Sequence, residues 1–90
     1  MPVRFSRSAA RHGIAPDRMR HVVEHCPCPL YSSSLDKVDL IVFLGPDANG
    51  VPLEVIGVEL DDGDLLVIHA MRLRGAYRDA YVEVMRCHGR

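Results

Sequence analysis

Ninety residues, 48% of them hydrophobic and 26% charged, make one globular domain (1–90) near the small end of self-sufficient cores, and exclude a disordered chain. No run reaches the roughly 18 apolar residues of a membrane span, and the basic start MPVRFSRSAARHG lacks the apolar region of a signal peptide, so a cytoplasmic location without a membrane partner is expected. The net charge of −1 conceals a segregation: residues 1–25 carry five arginines against two acids, 26–71 one lysine against eight acids, and 72–90 five arginines against two acids. Basic ends that converged in space would form a phosphate-binding patch, because arginine offers a planar fork of donors. Otherwise they are solvated helix faces that complement an acidic sheet.

Val3–Phe5 reads as a very short strand or an extended lead-in. Ser6 or Ser8 can cap a first short helix through about His12, with Gly13 ending it in the left-handed conformation. A second helix starts at Ile14-Ala15-Pro16-Asp17, proline and aspartate both suiting its first turn. Its stripe of Met19, Val22, Val23 and Cys26 faces a core, and Pro27 and Pro29 stop it. Pro29–Lys37 reads as a loop in which Leu30-Tyr31 could begin an edge strand. Asp39–Gly45, Val51–Leu60 and Leu65–Met71 are strands, joined by Pro46–Gly50 and by a hairpin whose two-residue loop is Asp62-Gly63. Gly75–Cys87 closes the chain as a helix with Tyr77, Tyr81, Val84 and Met85 on one face. The class is therefore α+β: two short N-terminal helices, an antiparallel three- to four-stranded β-meander and a C-terminal helix.

A two-residue loop pairs Leu60 with Leu65, Val58 with Val67, Ile56 with His69 and Glu54 with Met71. Glu54, His69 and Met71 then share one face, with Glu54 and His69 diagonal neighbours, while Leu66, Ile68 and Ala70 share the other with Val55, Gly57 and Glu59. One face must pack the helices; the other stays open or is covered by a partner.

Three cysteines, two of them in Cys26-Pro27-Cys28, do not form a disulfide framework: the count is odd and the spacing fits no zinc or redox motif. With His21, His25, Cys87 and His88 they suggest zinc only superficially, so no metal is expected. No Gly-rich phosphate loop or cofactor fingerprint is present, so no cofactor is expected either.

The candidate chemistry lies at the end of the last strand. His69 stands alone in an apolar strand beside Arg72, Arg74 and Arg78. A lone strand histidine is ordinarily structural, but Glu54 could hold its ring and the arginines could bind phosphate near it. Cleaving an RNA phosphodiester needs a base for the 2′-OH, an acid for the leaving 5′-oxygen and cations for the charged transition state, and these residue types supply all three without metal. Tyr77 and Tyr81 are core packing, or one of them stacks on a base. Arg11 and His12 complement a helix C-terminus or bind substrate.

The Phe5 lead-in, the Arg11-His12-Gly13-Ile14 helix stop and the short amphipathic helix that follows resemble the start of BrnT-type toxins. Those are small ribonucleases of type II toxin–antitoxin modules, related in fold to RelE-like toxins. The meander running into VIHAMRLRGAYRDAY is similar to the family's last strand and closing helix. Where the family tends to read Ser-Ala-Arg, this chain has His69-Ala70-Met71, with arginine next at Arg72, and the family's lysine-rich charge is missing. The resemblance implies a RelE-like architecture, RNA as substrate and a cognate antitoxin covering the basic surface and the open sheet. The resulting expectation is a metal-independent endoribonuclease toxin. Glu54 or His69 transfers protons and Arg72 stabilises the transition state, while Arg74, Tyr77, Arg78, Tyr81, Arg11 and His12 hold RNA. The rival reading is a non-catalytic interaction module, such as a homodimer joined through sheet edges. An enzyme acting on a small molecule is a third.

Overall fold

A computed structural model describes residues 2–33 and 39–88. Its elements are β1 (Val3–Phe5), a 3-10 helix (Arg7–His12), α1 (Pro16–His25), β2 (Leu30–Ser33), β3 (Asp39–Pro46), β4 (Pro52–Glu59), β5 (Leu65–Arg72), a second 3-10 turn (Gly75–Tyr77) and α2 (Arg78–His88). The strands form one five-stranded sheet in the order β1-β5-β4-β3-β2. The expected meander is there as β2 to β5, all antiparallel, but β1 adds a fifth strand that pairs parallel with β5, so the sheet is mixed. The edge strand that Leu30-Tyr31 could begin is there as Leu30–Ser33, which pairs with β3 in place of a loop; the remainder of the expected loop Pro29–Lys37, from residue 34, lies outside the described residues.

The first helix is 3-10 rather than α. Of the two serines that could cap it, Ser6 does so by accepting from the Ala9 amide, and Gly13 ends it at φ 74° as expected. This helix continues the edge where β1 stops: the Ser6 amide donates to the Val67 carbonyl, and the Ser8 hydroxyl donates to the Ile68 carbonyl at 2.7 Å. The C-terminal helix likewise opens with a 3-10 turn before becoming α at Arg78.

The β4–β5 hairpin departs from the expected register near its turn. The loop is three residues long, Asp61 to Gly63, with Gly63 at φ 88° and its amide bonded to the Leu60 carbonyl. Only a residue without a Cβ takes that left-handed position at no cost. Glu59 therefore opposes Leu65, and Val58 opposes Leu66 instead of Val67. A bulge at Ile68 then restores the frame, so that Ile56 opposes His69 and Glu54 opposes Met71 as expected. The strands crowd here: a Cβ on Gly57 would sit 2.8 Å from Leu65 Cδ1 and 3.0 Å from the Leu66 carbonyl. The bulge also corrects the expected facing, because Ala70 joins Leu65 and Val67 in the core while Leu66 faces the opposite side with Val58.

The helices cover opposite faces. Under α1, Met19, Val22 and Val23 pack on Phe43, Leu53, Val55, Leu65, Val67 and Ala70. Under α2, Val84 packs on Val42 and Leu44, flanked by half-buried Ile56, Leu73, Tyr77, Tyr81 and Met85. The reading of the cysteines is corrected as well. Cys28 and Cys87 form a disulfide with their Cα atoms 6.5 Å apart, tying α2 to the segment that leads into β2. Cys26 is a free, half-buried thiol whose pKa burial pushes up. Chain spacing gave no sign of the bridge because its cysteines are 59 residues apart and meet only after the sheet has formed. No helix among the described residues is long and apolar enough to cross a membrane.

Candidate active site

Glu54 is the organising residue. Its position on β4 opposite Met71 aims it at the α2 face, and it is completely buried. A buried carboxylate must be compensated by charge and hydrogen bonds. His69 Nε2 lies 2.9 Å from Glu54 Oε2, the diagonal contact that the register implies. The chain leaves β5 and turns back over the same carboxylate: the Arg74 amide donates to Oε1 and its Nε to Oε2, both at 2.9 Å, while its Nη2 forms an ion pair with Oε2 at 2.6 Å. Burial pushes the Glu54 carboxyl pKa up, but hydrogen bonds from Arg74 and His69 together with the Arg74 charge outweigh it and hold it below the ordinary value. The same bond raises the Arg74 pKa.

This arrangement fixes His69. In the neutral imidazole, Nε2 bears the proton that faces the Glu54 carboxylate, and Nδ1 then offers its lone pair. Nδ1 has no hydrogen-bond partner among the described residues, and the side chain is 24% exposed. The His12 ring meets the His69 ring edge-on, with centroids 5.5 Å apart and planes at 68°. A carboxylate that orients an imidazole whose other nitrogen reaches the surface is the arrangement of a general base and its orienting group.

The remaining candidates divide between two grooves that share Arg72, an exposed residue at the end of β5 with no ion pair among the described residues. One groove of about 350 Å³ is lined by His12, Gly13, Ile14, Arg18, Met71 and Arg72. The other, of similar size, is lined by Val51, Pro52, Arg72, Leu73, Arg74 and Arg78. Arg74 reaches this second groove, but its Nε and Nη2 are turned to Glu54 and its guanidinium lies 5.8 Å over the Tyr77 ring. Tyr77 and Tyr81 are both half-buried against the α2 cluster, and burial raises the Tyr81 pKa. Arg11 is exposed and lines neither groove.

Sequence reasoning missed Arg18 and Asp47. Asp47 is buried in the β3–β4 turn, where its Oδ1 accepts the Asn49 and Val51 amides and its Oδ2 accepts Arg18 Nε at 2.8 Å. The Val51 amide leads the interactions that lower its pKa against the opposing effect of burial. The turn signature Pro46-Asp47-Ala48-Asn49-Gly50 could have flagged the aspartate as a turn-capping group. Nothing local points to its partner 29 residues away. Among the described residues the basic ends thus meet the acidic middle at Arg18–Asp47, at Arg74–Glu54 and at Arg4 with Asp62 and Asp64, while the two ends face each other where Arg18 and Arg72 line one groove. No group of three or more His, Cys, Asp or Glu among the described residues is placed to hold a metal ion.

No protein-family model matches the chain, and neither do curated proteins or solved structures.

Proposed function

We propose that this chain is a metal-independent endoribonuclease, the toxin of a type II toxin–antitoxin pair similar to BrnT and RelE-like toxins, acting in the cytoplasm. The observation that carries the reading is the His69 imidazole, held through Nε2 by buried Glu54 with Nδ1 left available, and met edge-on by His12, which lines the groove of Arg18 and Arg72. In the proposed reaction Nδ1 takes the proton of the ribose 2′-OH and the 2′-oxygen attacks phosphorus. The P–O5′ bond breaks, leaving a 2′,3′-cyclic phosphate and a 5′-hydroxyl. In this scheme the imidazole that protonates the leaving oxygen is His12, whose ring is edge-on to that of His69. Arg72 stabilises the charge that develops on the phosphoryl oxygens. Glu54 acts as a positioning residue, because its oxygens are occupied by His69 and Arg74. The test is expression from a tightly controlled promoter, with growth and total RNA followed over time. Growth arrest with new RNA ends, relieved by His69→Ala, supports the reading; arrest with intact RNA removes the chemistry and leaves a toxin.

A second reading has its own observation. Leu40, Val58 and Leu66 oppose one another across three strands on the α2 face, remain half-buried and belong to neither core cluster. Past Leu40 lies the open edge strand β2, whose Tyr31, opposite Ile41 and so on the α1 face, is 75% exposed. An apolar strip next to an open edge suits a protein partner, whether an antitoxin, a second copy or the partner of a non-catalytic module. Harmless overexpression with a dimer in solution that Val58→Asp dissociates would favour the module over the toxin.

A further inference from the structure

We propose that the groove between the Gly13 bend and the end of β5 is a phosphate-binding subsite, with Arg18 and Arg72 as its cationic walls and His12 at its head. The inference rests on the ribonuclease reading for the identity of its ligand, a phosphodiester of single-stranded RNA. Sequence order suggests the opposite side, where Arg74, Tyr77, Arg78 and Tyr81 follow one another.

Three observations place the ligand here. The first concerns free donors. Arg74 turns both Nε and Nη2 onto Glu54, whereas Arg18 gives only Nε to Asp47, and its two Nη groups have no partner among the described residues. The second is preorganisation. Asp47 is itself clamped by two backbone amides, so the Arg18 guanidinium is held by one edge in a 30%-exposed position and loses little freedom when a phosphate arrives. The third is continuity with the chemistry, because His12 both lines this groove and contacts the His69 ring. A phosphate between Arg18 and Arg72 therefore lies next to His12, whose ring meets that of His69, whereas the groove beyond Arg72 includes neither histidine.

The experiment measures fluorescence anisotropy of a labelled all-2′-deoxy hexanucleotide, which lacks the attacking hydroxyl, on the full chain at low and moderate salt. Arg72→Ala removes an exposed, unpaired side chain. Arg18→Lys keeps a cation for Asp47 while losing the fork, and urea unfolding verifies that both variants fold. Each is expected to weaken binding about five-fold or more, and Arg72→Ala also to reduce the salt slope by about 0.7, the single-strand value per phosphate contact. Arg78→Ala is expected to change affinity less than about two-fold, since its groove is not the one occupied. Loss of binding in Arg78→Ala with none in Arg18→Lys would move the phosphate to the α2 side and overturn the proposal, as would equal binding by all variants. The two readings fail separately. Binding as expected without cleavage of the matching all-RNA strand leaves the subsite standing and removes the ribonuclease. Cleavage with unchanged binding in Arg18→Lys removes the subsite and leaves the ribonuclease.

Discussion

The two faces of the sheet are held by different means. Under α1 the packing is apolar: Met19, Val22 and Val23 meet six buried residues of β3, β4 and β5. Under α2 the fully buried apolar residues among those described are Val42, Leu44 and Val84, and half-buried side chains such as Ile56, Leu73, Tyr77 and Tyr81 share the layer with a disulfide and the Glu54–His69–Arg74 group. An ion pair buried in a small apolar layer contributes little net stability by itself, since desolvation offsets most of the attraction. It does fix geometry. The face with less apolar packing is thus the one carrying the oriented imidazole, and a covalent tie holds its helix in place.

The largest effect should come from cutting that tie. In the chain-entropy account, closing a loop of 59 residues' separation contributes about 4 kcal/mol, so Cys28→Ser or reductant should lower the urea midpoint sharply. Hydrogen exchange should then show α2 amides losing protection before those of α1. Equal loss under both helices would break the comparison. Stable disulfides are rare in reducing compartments, so persistence of the bridge in a cytoplasmic extract would count against the proposed location.

Glu54→Ala comes next. It strips the acceptor from Arg74 and His69 and should cost about 2–3 kcal/mol, moderated because Arg74 is half-exposed and can turn to water. Urea unfolding checks it, and an unchanged midpoint would show that Glu54 does not organise this layer.

The pH dependence should be smaller. Glu54 and Asp47 both have lowered pKa values, so the unfolded chain takes up protons first as the pH falls. Their contribution is complete above the ordinary carboxylate range, near pH 4, and is lost as pH drops through the folded values. The wild-type chain should therefore lose stability more steeply below about pH 5 than Glu54→Gln does, the remaining slope including Asp47. Identical slopes would remove Glu54 from the acid response.

Much of this arrangement was legible in the sequence, partly through cancellation. Alternating apolar residues and turn glycines located β3, β4 and β5 to within a residue or two. The hairpin loop is one residue longer than Asp62-Gly63 implied, and the extra residue at Ile68 returns the register, so the Glu54–His69 diagonal emerged from a loop assignment that was wrong. Local pattern could not show that β1 pairs parallel with β5, because a three-residue strand carries too little alternation to choose a neighbour. It could not show Cys28 meeting Cys87 or Arg18 meeting Asp47, since neither pair is close until the sheet exists. Nor could it divide the arginines into those committed to buried carboxylates and those left free, which decides where a phosphate would sit.

The central claim is that His69, oriented by Glu54, transfers the proton in RNA cleavage. Its most direct test is single-turnover cleavage of a short RNA by the purified chain in EDTA, compared with folded His69→Ala and with a strand lacking 2′-hydroxyls. The account predicts cyclic-phosphate ends from the wild type, a loss of about 100-fold or more in His69→Ala, and no cleavage of the deoxy strand. Cleavage by His69→Ala at the wild-type rate would contradict it.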